Sequence, residues 1–409
     1  MGTAQAVINA AGKRTSAVFH KYIIPEIKQT VTGFKNIKPV FRKDGSMDKP
    51  YLLLVLALTA FGLVTHYSAS YENLSQLLAA LLGIFVMFVV AKTNVHVYRE
   101  LSAAFVALCL ITLIAVLFRC GYNGTHRRLF FFQPSEIAKI AFIMWMAYLI
   151  DKYKKDHSDP KQFFAFLAIT CTFGILLIAE SHLSGAILFL GIGYAMMWYG
   201  DMSKKWFVVV TAIVVFVLLI VVWKPTILLH IPGIKGYQID RILIWKKVLS
   251  GESLTLKEQQ GDARQVLQSL YGIGSGGIKG VGFGQSGQKV SNLSEKANDF
   301  IFAVLAEEGG FVVSIVLLAL FGVLVVRGFV IAHRSKTYYG SLVALGISTQ
   351  MALQVILNVA VATSAIPNTG ISLPFFSDGG TSMAFSLASM GLVLGISKDS
   401  RGADNNVES

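Results

Sequence analysis

Charge is scarce in this 409-residue chain: 14% of residues are Asp, Glu, Lys or Arg, against 54% hydrophobic. That balance excludes a soluble multidomain protein, whose solvated surface needs far more charge. Acids are the scarcer sign, with 23 Asp and Glu facing 36 Lys and Arg, a formal net charge of +13. No basic-aromatic module accompanies the excess, so a nucleic-acid partner is excluded as its cause. In a membrane protein such an excess reports orientation and contact with anionic lipid. Cysteine is nearly absent. Cys109, Cys120 and Cys171 have no metal-ligand spacing, and no disulfide framework follows from them. No internal repeat is evident, which argues against an inverted-repeat transporter. Residues 1–49 lack the sustained apolar core of a cleavable signal peptide.

What the chain does have is long hydrophobic runs. Ten of them approach the length a helix needs to cross a bilayer. They run over 51–68, 74–91, 101–118, 135–150, 163–178, 183–199, 206–222, 300–326, 339–361 and 382–396. The expected fold class is therefore an all-α polytopic membrane protein with about ten transmembrane helices and one large extracytoplasmic loop. Residues 1–49 form a basic cytoplasmic tail, either partly helical on an anionic membrane surface or solvated. Residues 50–398 form the transmembrane domain, with the large loop at 223–298, and 399–409 a short cytoplasmic tail. Lys92, Arg99, Lys152, Lys154, Lys204, Lys205, Arg327, Arg334, Lys336 and Lys398 all fall on one side, while the opposite connections near Tyr71, Ser181 and Asn368 carry no Lys or Arg. The positive-inside rule then places both termini in the cytoplasm.

The outer side holds the residues capable of chemistry. Asp299 stands where a polar, glycine-rich stretch ends and the run Phe300-Ile301-Phe302 begins. It reads either as the N-cap of the following helix or as a functional acid at the membrane boundary. Glu136 and Lys139 are three apart and share a helix face, which favours a structural ion pair in a low-dielectric setting. Arg127 and Arg128 form a close cationic pair in an outer loop, suited to phosphate or pyrophosphate or to headgroup anchoring. Glu180-Ser181-His182 interrupts an apolar run, as a buried site or as a solvated turn. Arg241 and the segment 265–277 in the long loop look substrate-facing. Gly282 to Gly287 matches a dinucleotide fingerprint, but no strand precedes it, and bending of the backbone near a ligand or membrane surface is the better reading. Glu307 and Glu308 lie about two turns into the eighth run, too far round the helix from Asp299 to form one carboxylate cluster. The loop from Ala365 to Ser382 reads as a re-entrant segment, in which Asp378 is a second acid that either caps the last helix or faces the site.

Four motifs in order carry a family resemblance. They are Asn123-Gly124 with Arg127 and Gln133-Pro134-Ser135-Glu136; Tyr237-Gln238 with Arg241; the glycine stretch 275–288 running into Asn298-Asp299-Phe300; and Pro367-Asn368-Thr369-Gly370 to Gly379-Gly380-Thr381-Ser382. Together they resemble the FtsW/RodA/SpoVE (SEDS) family over residues 51–398. The resemblance implies a peptidoglycan glycosyltransferase that polymerises lipid II at the outer face of the bacterial cytoplasmic membrane, in division, elongation or sporulation. It implies a class B penicillin-binding protein as partner, and Asp299 as the essential catalytic aspartate. It matches Arg127 or Arg128, Glu136, Lys139 and Arg241 to the family's basic and glutamate-lysine positions. Arg127, Arg128 and Arg241 are then the candidates for binding pyrophosphate, aided by a divalent cation, Mg2+ or Mn2+, whose ligands stay unknown. The chain departs from the family's usual pattern at Leu129, Ser181-His182-Leu183, Ala297-Asn298 and Asp378. Two rival readings are a flippase for the same lipid and a scaffold that has lost catalysis.

Overall fold

The computed structural model describes residues 45–69, 74–117, 133–154, 159–180, 182–225, 227, 236–261, 263–287 and 298–401. The basic tail over 1–44 and the outer-loop residues Arg127 and Arg128 lie outside these. Every described element is helical. In chain order they are α1 (Lys49–Ala69), α2 (Leu74–Lys92), α3 (Val95–Leu117), α4 (Pro134–Lys152), α5 (Pro160–Ala179), α6 (Leu183–Tyr199) and α7 (Lys204–Trp223). Then follow α8 (Gly236–Ser250), α9 (Leu256–Gln260), α10 (Arg264–Gly276), α11 (Ile301–His333), α12 (Tyr338–Ala362) and α13 (Gly380–Arg401).

Each of the ten hydrophobic runs is a helix, and among the described residues eight helices are long and apolar enough to cross a membrane on their own. The other two are α4 and the 17-residue α6. α4 is the core of the bundle, with fifteen of its nineteen residues buried, Glu136 and Lys139 among them. Neighbouring helices, not lipid, surround it, so it tolerates charge that a lipid-facing helix would not. α7 is the opposite case: Phe207 is its one buried residue, and its valines and leucines face outward. α2 and α13 pack backbone to backbone through small residues. A Cβ on Gly391 would lie 2.5 Å from the Met87 carbonyl oxygen, and Gly83 sits against Ala384 and Leu387. Close approach of this kind is how helices associate where no hydrophobic drive exists between them.

The basic end is tied by two charged contacts. Arg327 donates to Asp48 through Nε and Nη2 (3.1 and 2.8 Å). Asp48 also accepts from the Tyr51 N–H, and its own N–H donates to Ser397 Oγ. These bonds join the start of α1 to α11 and the end of α13. Arg99 Nη2 lies 2.7 Å from Asp151 Oδ2 and ties α3 to the end of α4.

At the other end one expectation is filled in and one is corrected. The long loop contains the helices α8 to α10, anchored on the end of α12 by Trp245 Nε1 to the Ser364 carbonyl (2.9 Å) and Ser269 Oγ to the Ala362 carbonyl (2.7 Å). The eighth run is also not one continuous helix. It breaks at Gly310, which has φ 69° and ψ −168°. Only glycine adopts that conformation cheaply. The break exposes backbone groups that the glycine-rich stretch satisfies: Phe311 N–H donates to the Gly277 carbonyl, Val281 N–H to the Glu307 carbonyl and Gly282 N–H to the Glu308 carbonyl (2.9, 3.0 and 3.1 Å). Gly280 has no room for a Cβ against the Glu308 carbonyl. The glycines therefore serve a backbone-to-backbone junction with α11.

Candidate active site

The helix ends remote from the Asp48–Arg327 contact surround a cavity of about 950 Å³. Gln133, Ser135, Glu136 and Lys139 of α4 line it, with His182, Ser184 and Gly185 at the start of α6. Asn298 and Asp299 enter from before α11, Gln354 from α12, Arg241 from α8 and Gln265 from α10. The loop before α13 contributes Gly370 to Ser372 and Asp378 to Ser382. Leu82, Leu188, Phe189 and Phe385 form an apolar wall.

Asp299 is not the cap of α11. Phe300 holds that position, and no side chain caps the helix. The Asp299 backbone is fixed from two sides: Asn358 Nδ2 donates to its carbonyl (3.0 Å), and Ser377 Oγ donates to the carbonyl of Asn298 (2.7 Å). The second Asn358 Nδ2 hydrogen bond goes to the Ile371 carbonyl (2.7 Å), so one amide joins α12, α11 and the last outer loop. Gly370, at φ +73°, faces the carboxylate, and a Cβ there would lie 3.2 Å from Asp299 Oδ2.

The remaining candidates converge on the same space. Lys139 Nζ lies 2.8 Å from Glu136 Oε2, and Ser382 Oγ donates to the same oxygen at 3.4 Å. Arg241 Nη1 donates to the Asn368 carbonyl (3.3 Å), and Asn368 Nδ2 to Gln265 Oε1 (3.2 Å), which links α8 and α10 to the loop beside Asp299. Asp378 lines the cavity with its side chain half exposed, and His66 Nε2 of α1 approaches it to 3.8 Å. Glu180 and His182 are both buried, and His182 faces the cavity. Of the two readings of that turn, the solvated one is excluded. Glu307 and Glu308 lie elsewhere. Glu307 accepts from Ser286 Oγ, Ser275 Oγ (3.4 Å) and the Gly287 N–H (3.0 Å), and Glu308 from Ser68 Oγ (2.6 Å).

Helix ends shape the electrostatics. α4, α6, α11 and α13 all begin at this cavity, so four positive dipole ends meet there. No side chain caps α4, α6 or α11. At the basic end, Asp159 caps α5 and Thr337 caps α12, while α7 has no side-chain cap. Uncapped N-termini are suited to anions such as phosphate. For a metal, Asp299 and Asp378 are the acids besides Glu136, and no group of three His, Cys, Asp or Glu side chains forms among the described residues.

Two contributors were missed in the sequence, Gln354 and Asn358. Their signal is plain in retrospect: Gln350, Gln354 and Asn358 recur every four residues in an apolar run, one polar stripe on one helix face.

Comparison with known proteins gives the family and the fold. Residues 49–402 match the FtsW/RodA/SpoVE family model, described as cell cycle protein. The chain is 33% identical over 379 residues to stage V sporulation protein E of Bacillus subtilis, covering 88% of this chain and 99% of that protein. It is 32% identical over 393 residues to a probable peptidoglycan glycosyltransferase FtsW of Geobacter sulfurreducens, covering 90% and 98%. It is 31% identical over 371 residues to the peptidoglycan glycosyltransferase MrdB of Escherichia coli, covering 88% and 95%. A chain from a peptidoglycan synthase complex has the same fold, with a TM-score of 0.69 at 25% identity over 87% of this chain and 99% of that one. RodA of Thermus thermophilus superposes with a TM-score of 0.60 at 24% identity, over 87% and 98%. This multi-pass membrane protein belongs to the FtsW/RodA/SpoVE family.

Proposed function

We propose that the chain is a peptidoglycan glycosyltransferase that polymerises lipid II on the outer face of the cytoplasmic membrane. The observation that carries this reading is the placement of Asp299. It lines an outer cavity with Lys139, Arg241 and uncapped helix N-termini, next to an apolar wall. A lipid-linked sugar pyrophosphate needs those three surroundings at once: a base, an anion site and a place for a hydrocarbon tail. The names of the relatives, peptidoglycan glycosyltransferases among them, support the same substrate class.

In the proposed reaction a sugar hydroxyl of one chain attacks the anomeric carbon of another. Asp299 accepts the hydroxyl proton as general base. The departing pyrophosphate gains charge, which Arg241 and the helix N-termini stabilise, with Arg127 and Arg128 as further candidates. The Glu136–Lys139 pair sits beside this charge and holds its place in the bundle. Among the described residues, no set of three His, Cys, Asp or Glu side chains assembles to hold a divalent cation. Leu82, Leu188, Phe189 and Phe385 receive the start of the polyprenyl tail.

The basic helix ends face the cytoplasm on this reading, and the cavity faces out. A class B penicillin-binding protein is the partner, supported by the likeness to a chain of a peptidoglycan synthase complex. The ionisable groups that line the cavity gather at one end of the bundle, which favours an enzyme over a flippase. The test is polymerisation of purified lipid II by the wild type and by Asp299→Asn, each with its cognate transpeptidase. The wild type is expected to make glycan strands, and the variant to lose at least about a hundredfold in rate. Equal rates would move the base elsewhere, and no strands from either would leave a scaffold.

A further inference from the structure

The basic end of the bundle holds a second cavity, of about 120 Å³, that the glycosyl-transfer reading does not use. It lies between the first turns of α3 and α12 and the last turn of α4, lined by His96, Arg99, Asp151, Thr337 and Tyr339 among others. It is roomier than one water, whose share of the liquid is about 30 Å³. Two donors buried at this place, Tyr339 Oη and Arg99 Nε, have no hydrogen-bond acceptor among the described residues. The Tyr339 side chain belongs to a residue only 3% exposed, so the orphaned hydroxyl is not turned out to water. Orphaned buried donors are costly, and two of them at one cavity point to an acceptor that comes from outside.

The surroundings say what kind of acceptor. Asp151 pairs with Arg99 through Oδ2 and Nη2, and it is the one acid in the lining. Lys152 and Lys154 add two positive charges beside it. Lys154 Nζ lies 4.1 Å from the centre of the Tyr338 ring, and Lys152 Nζ 5.5 and 5.8 Å from those of Tyr148 and Tyr153. With Arg99 they outnumber the two acids that act here, Asp151 in the lining and Asp201 near Tyr338, and the first turns of α3 and α12 add positive dipole ends. Tyrosines and lysines in such a belt mark the membrane–water boundary, where anionic headgroups lie.

We propose that this cavity binds the phosphate of an anionic phospholipid headgroup from the inner leaflet. Phosphate oxygens accept from Tyr339 Oη and Arg99 Nε, and Lys152 and Lys154 supply the preference for a net negative lipid. The site stands apart from the catalytic cavity and does not depend on what is catalysed there.

The test is thermal unfolding of the purified full-length protein in neutral detergent. It is titrated with short-chain phosphatidylglycerol, short-chain phosphatidylcholine or inorganic phosphate. Phosphatidylglycerol is expected to raise the unfolding temperature saturably, and the other two are not at the same concentrations. Tyr339→Phe keeps the ring and removes the orphaned hydroxyl. Its lipid-free unfolding temperature is expected to equal or exceed the wild type's, with the half-effect concentration of phosphatidylglycerol rising about tenfold. Lys152→Gln with Lys154→Gln, at two exposed positions, is a second variant that leaves the buried core intact and is expected to weaken the same effect. An equal shift with phosphatidylcholine would overturn the proposal as a general bilayer effect. Inorganic phosphate reproducing the shift would overturn the lipid assignment. An unchanged half-effect concentration in both variants would overturn the site itself.

Discussion

Gly370 shows how narrowly the proposed base is placed. Its backbone, at φ +73°, lies in the region that costs an L-residue about 1–2 kcal/mol. A methyl group there would also press on the Asp299 carboxylate at 3.2 Å. Gly370→Ala is therefore expected to lower the polymerisation rate well beyond its effect on thermal stability, because the carboxylate must move. A rate unchanged in a well-folded variant would show that the position of Asp299 is not set from this side. The Glu136–Lys139 pair makes a different kind of prediction. Both side chains are nearly enclosed, at 11% and 5% exposure. Removing one partner leaves a buried charge alone, at a cost of about 3–5 kcal/mol. Lys139→Met should therefore destabilise strongly, and Glu136→Gln with Lys139→Met considerably less, as read from unfolding temperatures of the purified variants. Additive losses would mean that the two charges are not coupled. The spacing of these residues was legible in the sequence because a helix puts i and i+3 on one face. The position of His182 on the cavity wall was not, since a turn between two apolar runs reads the same whether it is covered or wet.

At the scale of elements, the junction between the glycine-rich stretch and α11 is held by side chains as well as backbone. Glu307 gathers Ser275, Ser286 and the Gly287 N–H. Glu307→Ala is expected to raise amide exchange across residues 275–287 by an order of magnitude or more, while α12 and α13 stay protected. Uniform exchange changes would indicate global loosening instead. In the outer helices, α8 and α9 meet through Lys247 Nζ and Glu258 Oε1 at 2.6 Å, with Thr255 N–H and Oγ1 donating to the other carboxylate oxygen at 2.9 Å each. The Lys247 hydrogen bond, with those from Thr255, holds the Glu258 carboxyl down at about 2. A carboxyl held low when folded contributes stability above its ordinary range, and that contribution fades as pH falls toward 2. Protection of 236–260, taken relative to the intrinsic exchange rate at each pH, should therefore fall between pH 5 and pH 3 in the wild type and be nearly flat over that interval in Glu258→Gln. The helices over the ten apolar runs were readable because lipid leaves long apolar runs few alternatives to helix. The break at Gly310 was not, although Glu307-Glu308-Gly309-Gly310 interrupts the apolar run there. What opens the helix there is a partner segment, and sequence shows a glycine without showing what approaches it.

The whole molecule has one polar end and one basic end, and the proposed reaction depends on which faces out. Asp48–Arg327 and Arg99–Asp151 gather at one end, and the cavity with Asp299 at the other. The positive-inside rule puts the first in the cytoplasm. Lipid-linked sugars polymerised outside the cell can reach Asp299 only in that orientation. Two positions report it directly. Leu256, 75% exposed in α9, belongs to the outer helices. Lys336, exposed between α11 and α12, belongs to the basic end. In a background without Cys109, Cys120 and Cys171, Leu256→Cys should react with a membrane-impermeant maleimide in intact cells stripped of wall. Lys336→Cys should react only after lysis. The reverse pattern would turn the cavity toward the cytoplasm. The same residues would then meet the precursor before it crosses the membrane, and polymerisation at Asp299 would have to be abandoned whatever the fold resembles.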